Sequence, residues 1–338
     1  MRVGIAFDLA PDSRPSDGPD DRFEEFDKPE TVAAVAAVLR DEGHEVVLLG
    51  DGRAFLTRVL EEAPDFVWNL AEGEGVGRCR EARVPAVLEM LGIPYTGSDP
   101  LTLAASLDKP VAKTLVAGVV AVPKGVTIPA GATGASVAAR IAGGACGPGP
   151  WIVKPSFEGS SKGIRAHSLV DDAGQAAALC LTLSRDYGQP ILVEEFIAGD
   201  EVTVGLVGNA PDLDVLGMMR VCPKSGDPRF IYSLEVKRDW DERVAYEIPA
   251  DLPADVSARV VRAARASFEA LGCRDVARID FRVRDGVPYF LEANPLPGLA
   301  PDWSDLVILA RGVGVGHAEL IRRIFRAATL RAGLGGGP

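Results

Sequence analysis

Two groups of polar residues interrupt strongly apolar runs, in a spacing that suits chemistry on a charged substrate. The first is Lys154-Pro-Ser-Phe-Glu-Gly-Ser160-Ser161-Lys162-Gly163. A lysine ends an apolar run, and Gly159 and Gly163 let backbone N–H groups come close to an anion. Ser160 and Ser161 add hydroxyl donors, and Lys154 adds a positive charge, so the segment suits a phosphate. It is not a Walker loop, because G-x-x-x-x-G-K-[ST] does not occur. Alone, it reads equally well as a hairpin loop with a snorkelling lysine.

The second group is Arg278-Ile-Asp280 and Glu292-Ala-Asn294. Residues two apart share one face of a strand. If the two segments pair, Arg278, Asp280, Glu292 and Asn294 converge. Two carboxylates and an amide oxygen are hard ligands suited to Mg²⁺ on nucleotide phosphates. An arginine beside them can stabilise developing negative charge. The apolar neighbours Ile279, Phe281, Phe290 and Leu291 favour a lined cleft over a solvated sheet face. In a third segment, Val193 to Glu201, an apolar strand runs into carboxylates, an edge that suits an adenine and a ribose or simply a solvated acidic turn.

These residues need elements to hold them. Arg2–Asp8, Glu45–Leu49 and Asp65–Asn69 read as strands alternating with helices, the first at Pro29–Glu42, which implies a parallel α/β sheet. A further helix at Arg80–Leu91 and the segment Ile93–Ser98 close a first domain at residues 1–98. In residues 99–200, the pattern predicts a helix at Asp108–Gly118 and strands at Val122–Ile128, Trp151–Lys154, Gly163–Ser168 and Pro190–Phe196, with a helix at Asp171–Tyr187. Residues 201–338 form the third unit. It has a strand at Glu201–Val207, a helix at Pro253–Gly272 capped near Asp251 or Asp255, strands Ala277–Val283 and Val287–Ala293 joined by an RDG turn, and a terminal helix at His317–Ala327. Pro11–Asp27 reads as an acidic loop, and the LGGGP tail as a frayed end.

The 338 residues are too many for one compact core. Forty-eight acidic against 36 basic residues give a net charge of −12, a poor match to non-specific nucleic-acid binding. No signal-peptide pattern and no apolar run of membrane-spanning length occur, so no membrane partner is expected. The five scattered cysteines suggest neither a disulfide framework nor a zinc site. His44, His167 and His317 are assigned no catalytic role.

The ordered segments WNLAEGEG, IPYTGS with Lys109 downstream, VKPSFEGSSKGI, VEEFIAGDEVTVGLVGN, IYSLEVK, ARIDF and LEANPLPG resemble the D-alanine–D-alanine ligase family of the ATP-grasp superfamily. The resemblance covers roughly residues 65–325, and these phrases look closest to a divergent branch. It implies a three-domain α/β and α+β ATP-grasp fold with an N-terminal parallel α/β domain, and ATP held between the central and C-terminal units. It implies phosphate contacts from Lys109, Lys154 and Lys237, a nucleoside bordered by Glu194, Phe196, Ile197 and Glu201, and a Ser160–Ser161 loop closing over the γ-phosphate. Asp280, Glu292 and Asn294 would ligate two Mg²⁺ ions, with Mn²⁺ as a substitute. Arg278 and the Gly298 amide would steady an oxyanion, and Ser304 would meet the second substrate's carboxylate. A cytoplasmic, ADP-forming ligase acting on small amino acids, and a homodimer through the first domain, are further expectations.

Two places depart from the family pattern. Its glutamate-bearing motif after the first strand has no clear counterpart in DLAPDSRPSDGPDDRFEEFDKPET, where Glu24, Glu25 and Asp27 are the candidates to stand in. Arg238 follows Lys237 where the family commonly carries tyrosine, which suits a more acidic substrate or a surface ion pair with Asp239 or Asp241. Two readings therefore stand beside the first. One is an ATP-grasp ligase acting on other amino acids or small acids in a conjugation or natural-product pathway. The other is a nucleotide-binding protein without ligase activity.

Overall fold

The computed structural model describes residues 1–11 and 18–335. Parts of the expected acidic loop (12–17) and of the tail (336–338) lie outside the described residues.

The first unit runs β1 (Arg2–Ala6), α1 (Pro29–Asp41), β2 (Glu45–Gly50), α2 (Gly52–Glu62), β3 (Phe66–Asn69), α3 (Arg83–Leu91). Its strands form a parallel sheet in the order β2-β1-β3, as the alternation of strand and helix predicted. Pro29 opens α1 at a position whose N–H needs no intrahelical partner. Val32, Val35, Ala36 and Leu39 then form its buried stripe.

Residues 100–195 hold α4 (Pro100–Leu107), α5 (Lys109–Val116), β4 (Gly125–Ile128), α6 (Gly134–Ala142), β5 (Trp151–Pro155), β6 (Leu169–Val170), α7 (Ala173–Tyr187) and β7 (Ile191–Glu195). The strands form an antiparallel sheet in the order β4-β7-β5-β6, backed by α6 and α7. Gly163–Ser168 is not the expected strand. Gly163 has φ +72°, and the Ser168 hydroxyl accepts from Arg165 N at 2.9 Å, which draws the segment into a turn and a 3₁₀ turn at Ala166–Ser168.

The third unit contains β8 (Asp200–Val207), β9 (Asp214–Pro223), α8 (Leu234–Arg238), α9 (Trp240–Arg243), β10 (Val244–Glu247), α10 (Ala254–Leu271), β11 (Val276–Arg284), β12 (Val287–Asn294), α11 (Asp305–Gly312) and α12 (His317–Arg331). Its five-stranded sheet has the order β10-β9-β8-β11-β12. The Asp285-Gly286 turn carries positive φ at both residues, as a tight hairpin needs. The N-cap of α10 is Pro253 with no side-chain cap, so neither Asp251 nor Asp255 caps it.

One face of this sheet packs on α5 and α10 through Ala112, Val116, Val260 and Phe268. The other meets α11 and α12, which continue into the core of the first sheet: Leu306, Leu309, Ile321 and Phe325 share one cluster with Val3, Leu39, Phe66 and Trp68. The end of the chain therefore seals its beginning. Gly205 and Gly217 lie opposite each other on β8 and β9. A Cβ at Gly205 would stand 2.8 Å from Leu306, and one at Gly217 2.9 Å from Val313. Their bare backbone lets α11 lie directly on the sheet.

Candidate active site

That seating matters because α11 begins with Asp305. Its carboxylate takes Arg278 Nη1 at 2.8 Å. In the β11–β12 pair, Arg278 faces Asn294 and Asp280 faces Glu292, so the four residues expected to converge do so. Arg278 also donates to Asp280, Nη2 to Oδ2 at 2.9 Å. Thr203 Oγ1 and Asn294 Nδ2 donate to the same carboxylate at 2.8 and 3.1 Å. Glu292 takes Lys109 Nζ at 3.2 Å. Burial alone would raise the Glu292 carboxyl, but Lys109, Lys154 and Arg278 hold it down to about 2.

The Asp108 carboxylate caps α5 by accepting from Val111 N at 3.2 Å, which fixes Lys109 at the first helical position. One turn on, Lys113 points the same way. Lys113 and Lys154 share the buried Glu194 carboxylate, at 3.1 and 2.5 Å. Burial pushes Lys113 down to about 8. Burial would raise Glu194, yet these two ammonium groups keep it below its ordinary value.

These residues line two clefts. The first, of about 990 Å³, brings together Lys154, Glu194, Phe196, Ile197, Glu201, Lys237, Ser160, Ser161, Arg278, Asp280 and Glu292. Here Arg282 pairs with Glu201 at 2.7 Å and lies over the Phe196 ring at 5.5 Å. The second cleft, of about 860 Å³, gathers Lys109, Ser160, Lys237, Arg278, Glu292, Asn294, Gly298 and Ser304 opposite Glu24, Glu25, Asp27, Glu72 and Glu81. Glu158, Ser160, Lys237, Arg278, Glu292 and Asp305 line both, so the clefts meet there. Lys237 has no ion pair among the described residues, and its charge is open to an anion at the junction. A Cβ at Gly298 would stand 2.9 Å from Ser304 Oγ, and that hydroxyl accepts from Ala300 N at 2.9 Å.

The serine loop is held by the acidic loop between β1 and α1. Glu25 accepts from Gly159 N at 2.5 Å, and pairs with Arg80 at 2.8 Å and Lys162 at 2.9 Å. Glu158 completes this buried group, 3.3 Å from Arg80 and 2.5 Å from Lys162. Asp21 accepts from Gly163 N at 2.9 Å and from the Tyr187 hydroxyl at 2.7 Å. Ser160 and Ser161 sit at φ +50° and +59°, a left-handed backbone that non-glycine residues rarely adopt and that costs about 1 kcal/mol each.

Of the residues expected at the site, only Arg238 lines neither cleft. It reaches Asp20 at 3.0 Å and Glu24 at 2.5 Å, not Asp239 or Asp241. Sequence reasoning missed Lys113, Arg80, Lys162, Arg282 and Asp305. Lys113 carries a local signal in its four-residue spacing from Lys109, and Arg282 in its two-residue spacing from Asp280 on the same strand.

Asp280, Glu292 and Asn294 could hold divalent cations. The donor set is all hard oxygen, and its carboxylates are now satisfied by side-chain cations, which marks the place as one for positive charge. Among the described residues no group of three His, Cys, Asp or Glu side chains is arranged to hold a metal ion by itself.

Residues 148–326 match the family described as D-ala D-ala ligase C-terminus. The D-alanine–D-alanine ligase of Anaeromyxobacter dehalogenans is 32% identical over 309 residues, covering 89% of this chain and 92% of that protein. Among solved structures, the D-alanine–D-alanine ligase of Bacillus anthracis complexed with ATP superimposes with TM-score 0.73 over 98% of both chains, at 22% identity. The VanG D-Ala:D-Ser ligase of Enterococcus faecalis gives 0.70 over 97% of this chain and 99% of its own, at 21% identity. Both share the ATP-grasp fold seen here. No helix among the described residues is long and apolar enough to cross a membrane. The chain belongs to the D-alanine–D-alanine ligase family and is an ATP-dependent, ADP-forming ligase that makes peptide bonds.

Proposed function

We propose that the chain joins two amino acids: the carboxylate of one takes the γ-phosphoryl group of ATP, and the amine of the other attacks the acyl phosphate and releases phosphate. The observation that carries this reading is the junction of the two clefts at Lys237, Arg278 and Glu292. A nucleotide in the first cleft and a carboxylate in the second would meet there.

In this reading Glu194, Phe196, Ile197 and Glu201 border the nucleoside, and Lys109, Lys154 and Lys237 take the phosphates. Lys113 and Arg282 join them by holding Glu194 and Glu201. Two anions must approach, and the lysines lower that repulsion. Two Mg²⁺ ions at Asp280, Glu292 and Asn294 would neutralise further phosphate charge. Arg278 and the Gly298 amide stabilise the oxyanion formed on amine attack. Ser160 and Ser161 cover the phosphoryl group and exclude water, and Ser304 lies where the second substrate's carboxylate would sit. The likeness to the family also supports a cytoplasmic enzyme in three units, divided near residues 98 and 200, that dimerises through the first.

The names of its relatives make D-alanine the reference substrate. Phosphate release measured against D- and L-amino acids and small acids tests the reading. Turnover with paired amino acids is expected, and Glu292→Ala is expected to abolish it. Near-normal rates in that variant would overturn the metal assignment, and turnover confined to small acids would overturn the dipeptide reading.

A further inference from the structure

The second cleft has a wall that the reaction above does not use. Asp27 comes from the loop after β1, Glu72 from the end of the β3 segment, and Glu81 from the turn before α3. Glu81 is only 7% exposed. None of these three carboxylates makes a hydrogen bond or ion pair among the described residues, although all line the cleft. The cations nearest Glu81 are already engaged: Arg80 and Lys162 with Glu25 and Glu158, and Lys109 with Glu292. Glu25 is thereby matched, and Glu24 is held by Arg238.

Buried carboxyls are ordinarily paired, because dehydrating an unpaired charge is costly. Burial accordingly pushes Glu81 up to about 8 and Asp27 to about 7, and raises Glu72 well above the carboxylate range. A ligand cation would supply the missing partner. A metal ion suits the wall poorly, since among the described residues no three such side chains converge on one point. An ammonium or guanidinium group, which hydrogen-bonds to spread-out acceptors, suits it well. A plain amino acid brings one ammonium group, beside its carboxylate. The wall offers three acceptor groups in the same cleft as Arg278 and Gly298.

We propose that the amino acid seated in this cleft is basic or a diamino acid, with its side-chain cation held by Glu81 and by Glu72 and Asp27 beside it. This rests on the reading that the cleft takes the reacting amino acid, and it names that substrate's class.

The test compares D- and L-lysine, ornithine and 2,3-diaminopropionate with D- and L-alanine. Calorimetry measures binding to the full chain with ADP and Mg²⁺, and phosphate release measures turnover with ATP. At least ten-fold tighter binding and ten-fold higher kcat/KM are expected for a basic amino acid over alanine of the same chirality. Glu81→Gln, an isostere of the protonated acid, is expected to bring that ratio within two-fold of unity. A ratio is insensitive to loss of folded protein. Equal or tighter binding of alanine, or an unchanged ratio in Glu81→Gln, overturns the proposal. A binding preference that depends on Glu81, without phosphate release from any amino acid, would keep the cation site and overturn the dipeptide reading instead.

Discussion

The buried group around Glu25 allows a quantitative prediction. Arg80 and Lys162 face Glu25 and Glu158, two charges of each sign, and all four side chains are at most 7% exposed. At an effective dielectric constant of about 20, a pair at the 2.9 Å separation of Lys162 and Glu25 attracts by about 6 kcal/mol before dehydration is counted. Dehydration removes much of that gain, so the intact group adds little net stability. Glu25→Gln is different: it keeps an acceptor for Gly159 N but leaves one buried positive charge unmatched. Removing one partner of a buried pair costs about 3–5 kcal/mol. Glu158 and the Phe157 carbonyl still hold Arg80, so the lower end, about 3 kcal/mol, is expected. For a chain of this size that is a fall of about 4 °C in Tm. Burial would raise the Glu25 carboxyl, but Lys162 and Arg80 hold it at about 2 in the folded protein, below its ordinary value. Its stabilisation is therefore complete above the ordinary carboxylate range and lost as the pH falls towards 2. Urea unfolding from neutral to acid pH should show a flatter acid limb in the variant, and hydrogen exchange should show faster exchange from Gly159 to Ile164. A stability within about 0.5 kcal/mol of the parent at neutral pH, with unchanged exchange in the loop, would refute the reasoning.

Two other substitutions probe what positions the site. Arg238→Tyr breaks half-exposed ion pairs to Asp20 and Glu24, so the stability change should stay below about 1 kcal/mol. Arg238 lines neither cleft, so amino-acid preference in steady-state assays should stay unchanged; a shifted preference would bring Arg238 into the substrate site. Gly205→Val would push Leu306 away from the sheet, costing about 1–3 kcal/mol, and should lower kcat by moving Asp305 relative to Arg278. Denaturant unfolding and turnover on the same preparation check both effects, and loss of stability without loss of kcat would uncouple α11 from the site.

What the sequence disclosed depended on how local each signal was. The β11–β12 hairpin was legible because its turn residues and its alternation of polar and apolar positions lie within one short segment, and the register then brings Asp280 to Glu292. Lys154 and the serine loop were legible for the same reason. Arg238 was not: its partner Glu24 is 214 residues away, and nothing near either residue advertises the other. The buried group of Arg80, Glu25, Glu158 and Lys162 joins three distant segments, so no periodicity could reveal it. Gly163–Ser168 was misread because Ser168 and the positive φ of Gly163 outweigh strand propensity there.

The acidic loop after β1, which the sequence left without a role, links two functions. Asp21 and Glu25 bind the backbone of the serine loop at Gly163 and Gly159, and Asp20 pairs with Arg165 just beyond it. Asp27, from the same loop, forms part of the acidic wall. The serine loop and one wall of the second cleft are thus fastened together. Were the serine loop to lift, the hydrogen bonds to Glu25 and Asp21 would have to break, and Arg80 and Lys162 would lose their match. In the proposed reading, nucleotide entry and the shape of the amino-acid cleft would be coupled through this one buried group of four charges. The net acidity of the chain finds a local use here: carboxylates of this loop that meet a cation or a backbone amide fasten the serine loop, and those of the wall, which meet none among the described residues, line the second cleft.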